Sequence, residues 1–500
     1  MQAPPPPTKK QWALFLLALA TPLWILLQLI IDATGRIFYT LDDPYIHLTL
    51  ARNILAGHYG INLREYSAPS SSILWPFFLA PFGGSGLFEY VPLVINILAF
   101  LAASALIFRQ ISKSKPVPAA AVATLVICVA LNYYGLVFTG MEHSLQILLV
   151  VVIAYCCINA AYGNFFWISI VLLPLIRYEG LAISAPVLTY LIVTNTKRKQ
   201  AIAVFALTIL CLVLFSVFLN KMGLGYLPSS IQAKSVFNEG GNHLTQLISK
   251  FQINFRAEIV FLLLTAYTLF LFRQEKLKAV LWVACPTLLH LIFGGTGWYG
   301  RYEVYYYTWI TLLLVSKLPA IGLTQNIFKL SRMAVLAVVF VYASKTLIYA
   351  TMTTPFASRN IFDQQEQMGV IVRDYLNAPV AVNDLGLVSF RSRQYVLDLW
   401  GLGSNEALNF RIRKEPVEWI SRLMQKHNVE YAIVYESWFK KRPENWIKVA
   451  TLNLPQPSIT PADSWVAFYA ASPEGATRLK SALLEYREHS RKTGFYVSFD

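Results

Sequence analysis

The sequence predicts a membrane protein of the all-α class, with about eleven transmembrane helices and a C-terminal α/β domain outside the membrane. Three observations support this prediction. Apolar residues make up 56% of the 500 positions and charged residues only 14%, whereas soluble domains contain about 25% charged residues. Several apolar segments have the length of roughly 20 residues that a helix needs to cross a bilayer. Composition then changes, which divides the chain into a membrane domain, 1–352, and a soluble domain, 353–500.

The predicted spans are the apolar segments between short polar connections. The first, "QWALFLLALATPLWILLQLII", is interpreted as a retained span, because it is longer than a signal-peptide core and no small-residue cleavage site follows it. The spans are placed at 11–31, 88–108, 117–136, 143–161, 165–176, 180–194, 200–220, 257–272, 279–293, 303–316 and 333–350.

The net charge of +15 belongs to the membrane half of the chain. Residues 351–500 contain 18 of the 42 basic and 16 of the 27 acidic residues, so this part is nearly neutral. With the N-terminus in the cytoplasm, the cytoplasmic connections contain 14 of the other 24 basic residues and one acid, Glu275. Positive residues accumulate on the cytoplasmic side of membrane proteins. The charge therefore predicts a cytoplasmic N-terminus and an extracytoplasmic C-terminal domain, and it gives no reason to expect nucleic acid binding.

The C-terminal segment alternates helix-like and strand-like patterns. Helices are expected at 361–376, 415–427 and 474–489, and strands at "PVAVNDLG", "QYVLDL", "YAIVYES" and "WVAFYA". This alternation predicts one small α/β domain. Its segments "NDLG" (383–386) and "YESWF" (435–439) could contact carbohydrate or be ordinary loop and core residues.

Polar residues of the membrane half accumulate at the predicted outer ends of the spans. Asp42 and Asp43 follow the first span, and three further motifs are "TGMEHS" (139–144), "IRYEG" (176–180) and "GGTGWYGRYE" (294–303). Ionisable residues at membrane depth usually line a cavity, so we expect one polar pocket, although each motif alone could be an interfacial anchor or salt bridge. The pocket residues supplied by the three motifs are Glu142, His143, Arg177, Tyr178, Glu179, Arg301, Tyr302 and Glu303.

The stretch "DDPYIHLTLARNILAG" predicts a short helix over 44–56. Asp43 would cap it, Pro44 would take the first helical position, and Gly57 would end it. Apolar residues at four-residue spacing predict an amphipathic helix at the outer interface. Its N-terminal dipole would favour the charged forms of Asp42 and Asp43, and His47, one turn further on, would lie near them as a ligand, a proton partner or an interfacial side chain.

A pair of carboxylates at this place suits two kinds of chemistry. It could hold a divalent cation such as Mg²⁺ or Mn²⁺ against a phosphate, with Asp42 and Asp43 as ligands, although the pair permits a metal without requiring one. It could also take a proton from an attacking hydroxyl while a sugar leaves a phosphate. Arg301 and Arg177 would bind that phosphate, because guanidinium groups bind phosphate through two parallel hydrogen bonds.

These motifs together resemble the membrane glycosyltransferases of the GT-C superfamily. The resemblance rests on "DDPYIHLTLARNILAGHYGIN", "SAPSSSILWPF", "TGMEHSLQ" and "RYEG". It is strongest to bacterial enzymes that use polyprenyl-phosphate sugars, including arabinofuranosyltransferases and dolichyl-phosphate-mannose-mannosyltransferase-like proteins. It implies a multi-pass protein of the bacterial inner membrane, a polyprenyl-phosphate-linked sugar donor, and a glycan, lipid or protein acceptor. The first-loop carboxylate is catalytic in that family, which implies Asp42 or Asp43 as the base; Asp42 is favoured, with Asp43 supporting it or holding a metal.

The sequence departs from the family motifs at several positions, so the resemblance does not identify the sugar that is transferred. "SAPSSSILW" stands where a Thr-Ser-Pro-Leu-Trp order is usual, His143 replaces a threonine, and Tyr178 replaces a proline. The expected reaction is therefore transfer of a hexosyl or pentosyl group with inversion, on the outer face of the membrane. Two other functions fit the same charges: a transporter or flippase for a lipid-linked or polar substrate, and a non-catalytic scaffold.

Overall fold

The computed structural model describes residues 5–234, 243–318, 327–490 and 496–499, which form two compact units. The first unit comprises residues 1–28, 93–213 and 241–353, and the second comprises 29–92, 214–240 and 354–500. The second unit thus combines the predicted C-terminal domain with the first loop after the N-terminal helix. Three helices, Lys9–Thr34, Val91–Ser112 and Arg198–Lys221, contribute residues to both units.

The first unit is helical throughout its described residues. Its other α-helices are Val117–Ala130, Tyr133–Val137, His143–Asn159, Asn164–Ile176, Leu181–Val193, His243–Leu271, Lys276–Lys278, Cys285–Phe293, Val304–Lys317, Ile327–Ala343 and Lys345–Met352, with a 3-10 turn at Tyr178–Gly180 and a π-helical segment at Ala279–Ala284.

Every apolar segment predicted as a span contains helix, but the lengths differ from the prediction. Five helices in the described residues are long and apolar enough to cross a membrane, or six if Met333–Ala343 and Lys345–Met352, bent by 59°, form one span. Four further apolar helices have only 10–17 residues. The helical membrane class is confirmed, while the count of eleven crossings stays a prediction.

Burial separates the central helix of the first unit from its outer ones. Every residue from Val304 to Leu314 is buried, and this helix packs against His143–Asn159 and His243–Leu271. In contrast, Arg198–Lys221 exposes Leu207, Leu210 and Leu214. Apolar side chains on an outer helix are what a lipid-facing surface requires, so this pattern fits a multi-pass membrane protein.

The second unit is built around a six-stranded mixed sheet. Its strands are β1 (Val380–Val382), β2 (Val396–Asp398), β3 (Tyr431–Val434), β4 (Ile447–Asn453), β5 (Trp465–Ala470) and β6 (Tyr496–Phe499), in the order β2-β1-β3-β5-β4-β6. β1 pairs in parallel with β2 and β3, and the other pairs are antiparallel. The four predicted strands are β1, β2, β3 and β5; β4 and β6 were not predicted.

Helices cover the sheet and connect its strands. They are Asp43–Leu55, Trp75–Leu79, Ser229–Lys234, Thr354–Ile361, Gln367–Val370, Gly386–Arg391, Asn405–Ile412, Glu418–Lys426 and Pro473–Ser490, with 3-10 turns at Ala80–Phe82 and Phe88–Tyr90 and π-helical segments at Phe362–Glu366 and Ile371–Leu376. The helices expected at 361–376, 415–427 and 474–489 are therefore confirmed.

The first-loop helix is part of the core of this unit. Ile46 and Leu50 of Asp43–Leu55 belong to the same buried cluster as Val382, Ile433 and Phe468 of the sheet. Nearly every side of the helix is buried, so the expected amphipathic surface pattern is wrong. The four-residue spacing correctly predicts one apolar face of the helix. Packing within the second unit buries the other faces as well.

An ion-pair network fixes the first loop to the C-terminal part of the second unit. Arg391 binds both carboxylate oxygens of Glu89 at 2.7 and 2.9 Å and one oxygen of Glu366 at 2.8 Å. Arg36 binds the other oxygen of Glu366 at 2.7 Å. Two of these residues come from the first loop and two from the C-terminal segment, and bidentate arginine pairs define geometry well. The network therefore holds the loop that contains Asp42 and Asp43.

Candidate active site

The predicted site residues fall into two polar clusters, one in each unit. The carboxylate cluster, in the second unit, consists of Asp42, Asp43 and Asp384. The arginine cluster, in the first unit, consists of Glu142, Arg177, Glu179, Arg301 and Tyr302. Asp384 was not predicted as a site residue, although it lies within the "NDLG" segment that the sequence singled out.

Asp42 is held by the backbone of another segment. Its two carboxylate oxygens accept hydrogen bonds from the N–H groups of Gly386 and Leu387, at 2.6 and 2.8 Å. A side chain at position 386 would be impossible, because a Cβ there would lie 2.1 Å from the backbone oxygen of Asp42. Asp42 occupies the cap position of helix Asp43–Leu55 without capping it through its side chain. Its carboxyl group instead joins the first loop to the turn after β1.

Asp384 follows the carboxyl end of β1 and completes the cluster. Its Oδ2 accepts hydrogen bonds from Gln365 Nε2 at 2.8 Å and from the Tyr435 hydroxyl at 3.1 Å. The negative charge of Asp384 also acts on Asp42. A like charge nearby disfavours ionisation of a carboxyl group.

Burial sets the acidity of Asp42 and Asp384. It raises the pKa of Asp42 well above the ordinary value of 3.8, and the negative charge of Asp384 raises it further. Burial and the charge of Asp43 likewise raise the pKa of Asp384. The expected lowering of the Asp42 pKa by a helix dipole is not observed, because desolvation and a like charge outweigh the backbone hydrogen bonds.

Asp43 and His47 differ from Asp42 in their surroundings. Asp42 is 7% exposed, whereas Asp43, the first residue of its helix, is only half-buried. His47 is buried, and its Nδ1 lies 3.1 Å from the hydroxyl of Ser70. Asp43 and Asp384, which is also half-buried, are thus more accessible to a substrate than Asp42.

The donor set of this cluster does not fit a metal ion. No group of three or more His, Cys, Asp or Glu side chains in the described ranges could hold one. Each oxygen of Asp42 already accepts a hydrogen bond from a backbone N–H group, which leaves fewer of its lone pairs for a cation. The expected role of Asp42 and Asp43 as ligands of Mg²⁺ or Mn²⁺ therefore finds no support in this geometry.

The arginine cluster brings three separate sequence motifs together. Arg177 binds both oxygens of Glu179, at 2.6 and 3.2 Å, and Glu142 Oε1 at 3.0 Å. The ring of Tyr302 lies 5.6 Å from the guanidinium of Arg177 and 5.1 Å from that of Arg301. Arg301 also donates to the Tyr302 hydroxyl at 3.3 Å. "TGMEHS", "IRYEG" and "GGTGWYGRYE" therefore meet around Arg177 and Tyr302, as the sequence predicts for these three.

The remaining predicted residues of this unit support the cluster. Glu303 accepts a hydrogen bond from the N–H of Gly297 at 3.0 Å, which closes the loop that contains Arg301. His143 is buried at the first residue of helix His143–Asn159. Tyr178 is half-buried in the 3-10 turn beside Arg177. Of these three residues, Glu303 therefore holds the loop of Arg301.

A second polar group of the first unit was not predicted. Glu258 Oε1 lies 2.7 Å from His290 Nε2, and His290 Nδ1 lies 3.0 Å from the hydroxyl of Tyr305. Glu258 and His290 are buried in the apolar helices His243–Leu271 and Cys285–Phe293. An isolated acid inside an apolar helix is itself a signal of a functional or structural polar contact, and it could have identified Glu258.

Comparison with known proteins connects this arrangement to a known fold. The "Domain of unknown function (DUF8728)" matches residues 359–469. None of the curated proteins matches the sequence. The crystal structure of ArnT from Cupriavidus metallidurans bound to undecaprenyl phosphate is similar with a TM-score of 0.50 at 10% identity, over 93% of this chain and 99% of that one. Its apo structure gives 0.50 at 11% identity, over 93% and 98%.

The chain therefore has the fold of the GT-C superfamily, which confirms the resemblance found in the sequence. An oligosaccharyltransferase from Archaeoglobus fulgidus, solved with Zn and sulfate, matches with a TM-score of 0.41 at 12% identity, over 90% of this chain and 73% of that one. The fold and the apolar helices indicate a multi-pass membrane protein.

Proposed function

We propose that this protein is an inverting glycosyltransferase that moves a sugar from a polyprenyl-phosphate donor to an acceptor hydroxyl on the outer face of the bacterial inner membrane. The observation that carries the proposal is the fold, which is similar over 93% of the chain to a protein solved with undecaprenyl phosphate. The charge distribution supports an extracytoplasmic C-terminal domain. The sugar would be a hexose or pentose, and the acceptor a glycan, lipid or protein.

Asp43 is the general base in this proposal. The base must reach the acceptor hydroxyl to take its proton, and Asp43 is more exposed than Asp42. Asp42 instead positions the cluster, since both of its oxygens accept backbone hydrogen bonds. This reverses the roles that the family resemblance implies for the two residues.

Arg301 is the first choice for the donor phosphate. The charge of Arg177 is already balanced by Glu142 and Glu179, both within 3.0 Å of its guanidinium. A compensated arginine attracts a phosphate less strongly than its formal charge suggests. Arg177 then orients Tyr302, whose ring lies 5.6 and 5.1 Å from the guanidinium groups of Arg177 and Arg301.

Asp43 and Arg301 are the two protein groups to which the proposal gives a role in the reaction. The acceptor oxygen attacks the anomeric carbon, and its proton passes to the Asp43 carboxylate. The bond between the anomeric carbon and the phosphate oxygen breaks, and polyprenyl phosphate leaves with the electron pair. Attack opposite to the leaving group inverts the anomeric configuration. Arg301 stabilises the charge that develops on the phosphate.

A transporter or flippase is the second candidate function. The observation in its favour is the buried Glu258–His290–Tyr305 chain, because ionisable pairs inside membranes often belong to a transport or proton path. A transporter would move its substrate intact, whereas a transferase forms a new covalent product.

One reconstitution separates the two functions. Purified protein in sealed liposomes is supplied with a radiolabelled polyprenyl-phosphate sugar and a membrane extract as acceptor source. We expect label in a product that no longer partitions with the polyprenyl donor, and no such product from Asp43→Asn. Asp374→Asn, at an exposed position of the second unit, is the matched control and should transfer normally. Label that enters the lumen while the donor stays intact would contradict the proposal and favour transport.

A further inference from the structure

The second unit contains an open cleft of about 850 Å³ that the proposed reaction does not use. Trp400 follows the carboxyl end of β2, and Trp438 follows that of β3; both line the cleft. These strands are parallel to β1, so their carboxyl ends lie at one edge of the sheet. Ligands of α/β sheets bind at this edge, and the volume is that of a small-molecule site.

Two tryptophans form the aromatic part of the cleft. The ring centroids of Trp400 and Trp438 are 4.4 Å apart, with an angle of 44° between the planes, and both side chains are half-buried. Among the described residues, neither indole N–H donates to a protein acceptor. Half-buried tryptophans offer an apolar surface and a polar N–H together, which suits the C–H faces and hydroxyl groups of a sugar ring.

Basic side chains surround the tryptophans. Arg411 stacks on the ring of Trp400, with 3.6 Å from its guanidinium carbon to the ring centroid. The other basic residues of the cleft are Lys414, Lys440 and Lys441, all exposed. Of the two lining acids, Glu415 forms an ion pair with Arg422 at 2.9 Å. The cleft therefore has an excess of positive charge, which favours an anionic ligand.

We propose that this cleft binds an anionic saccharide, with the sugar ring against Trp438 and its phosphate or carboxylate near Lys440 and Lys441. All the residues involved lie within the segment that matches the domain of unknown function. This proposal does not depend on the proposed sugar transfer, because it concerns only the binding of a ligand in the cleft. Its ligand could be free in solution or part of a larger glycan or lipid, since both present the same chemistry.

Titration calorimetry on the full-length protein in nanodiscs tests this site. The probes are glucose 6-phosphate, glucose and inorganic phosphate. We expect glucose 6-phosphate to bind with a Kd in about the millimolar range, and the other two probes to bind more weakly. The double variant Lys440→Gln/Lys441→Gln should weaken glucose 6-phosphate binding by about fivefold. Trp438→Phe should weaken glucose 6-phosphate binding but leave phosphate binding unchanged.

Matched controls make the test decisive. Lys426→Gln/Lys480→Gln removes the same charge from two exposed lysines outside the cleft and should bind as the wild type does. Melting temperatures identify any variant that unfolds. If Trp438→Phe does not fold, the Lys440→Gln/Lys441→Gln variant still tests the site, because both of these lysines are exposed. Absence of glucose 6-phosphate binding to the wild type, equal affinity for inorganic phosphate, or equal weakening in the control variant would each overturn the proposal.

Discussion

The carboxylate cluster and the arginine cluster each contain a buried charged group, Asp42 and Arg177, but they hold charge in opposite ways. Asp42 and Asp384 are like charges that accept hydrogen bonds from backbone N–H groups and neutral side chains, and the charge of Asp384 raises the pKa of Asp42. Arg177 is surrounded by two carboxylates that neutralise it without any proton. Carboxyl groups that resist ionisation suit proton transfer, whereas a compensated arginine suits the orientation of its neighbours.

The largest expected effect comes from removing the cation of the arginine cluster. Arg177→Met leaves Glu142 buried without its ion-pair partner, and loss of one partner of a buried pair costs about 3 kcal/mol or more. The melting temperature in detergent should fall clearly. Arg273→Met, at an exposed arginine of the same unit, is the control and should have little effect. If both variants lose the same stability, the ion pairs of Arg177 do not hold this cluster together.

The next effect concerns the arginine that we assign to the donor phosphate. Arg301→Gln should raise the KM for the polyprenyl-phosphate sugar by about tenfold, because a charge-assisted hydrogen bond to phosphate is lost. Arg256→Gln, at an exposed position of helix His243–Leu271, should leave the KM unchanged. Initial rates at varied donor concentration measure this. An unchanged KM in Arg301→Gln would remove Arg301 from the donor site.

The smallest effect is a change in the pH dependence of stability. Burial raises the pKa of Asp42 and Asp384, so the folded protein binds their protons more tightly than the unfolded chain. Their stabilising contribution is complete below the ordinary pKa near 3.8 and is lost as the pH rises through the raised values. Asp384→Asn removes one carboxyl group and the charge that acts on Asp42. Its melting temperature should therefore fall less than that of the wild type as the pH rises from the ordinary pKa near 3.8 through the raised pKa values.

Asp374→Asn is the control for this pH experiment. Asp374 is exposed, and its hydrogen bond to Arg373 lowers its pKa. This variant should therefore keep the wild-type decline at higher pH. Parallel curves for Asp384→Asn and the wild type would show that protonation of the carboxylate cluster does not contribute to stability.

Local patterns in the sequence predict the elements better than they predict the contacts between them. β1, β2, β3 and β5 are apolar runs and were predicted, whereas β4 mixes Lys448, Thr451 and Asn453 with apolar residues. β6 has only four residues at the edge of the sheet. Neither has the continuous apolar pattern of a central strand. Positions of helices followed from apolar length, but several apolar helices are too short to count as spans by length alone.

The contacts of the carboxylate cluster could be predicted from the sequence even less well. Asp42 and Gly386 are 344 positions apart, and no local pattern connects them. The pair "DD" indicated a site, but it could not reveal which aspartate would accept backbone hydrogen bonds and which would stay accessible. The arginine cluster was more predictable, because the topology predicted from the sequence puts its three motifs at the same side of the membrane.

The central claim is that Asp43 takes the acceptor proton during transfer from polyprenyl phosphate, while Asp42 positions the cluster. The most direct measurement compares single-turnover transfer from a radiolabelled polyprenyl-phosphate sugar by the wild type, Asp43→Asn and Asp42→Asn, with melting temperatures for all three. We predict that Asp43→Asn keeps its stability but transfers about a thousandfold more slowly, and that Asp42→Asn chiefly loses stability. Wild-type transfer by a folded Asp43→Asn protein would contradict the account.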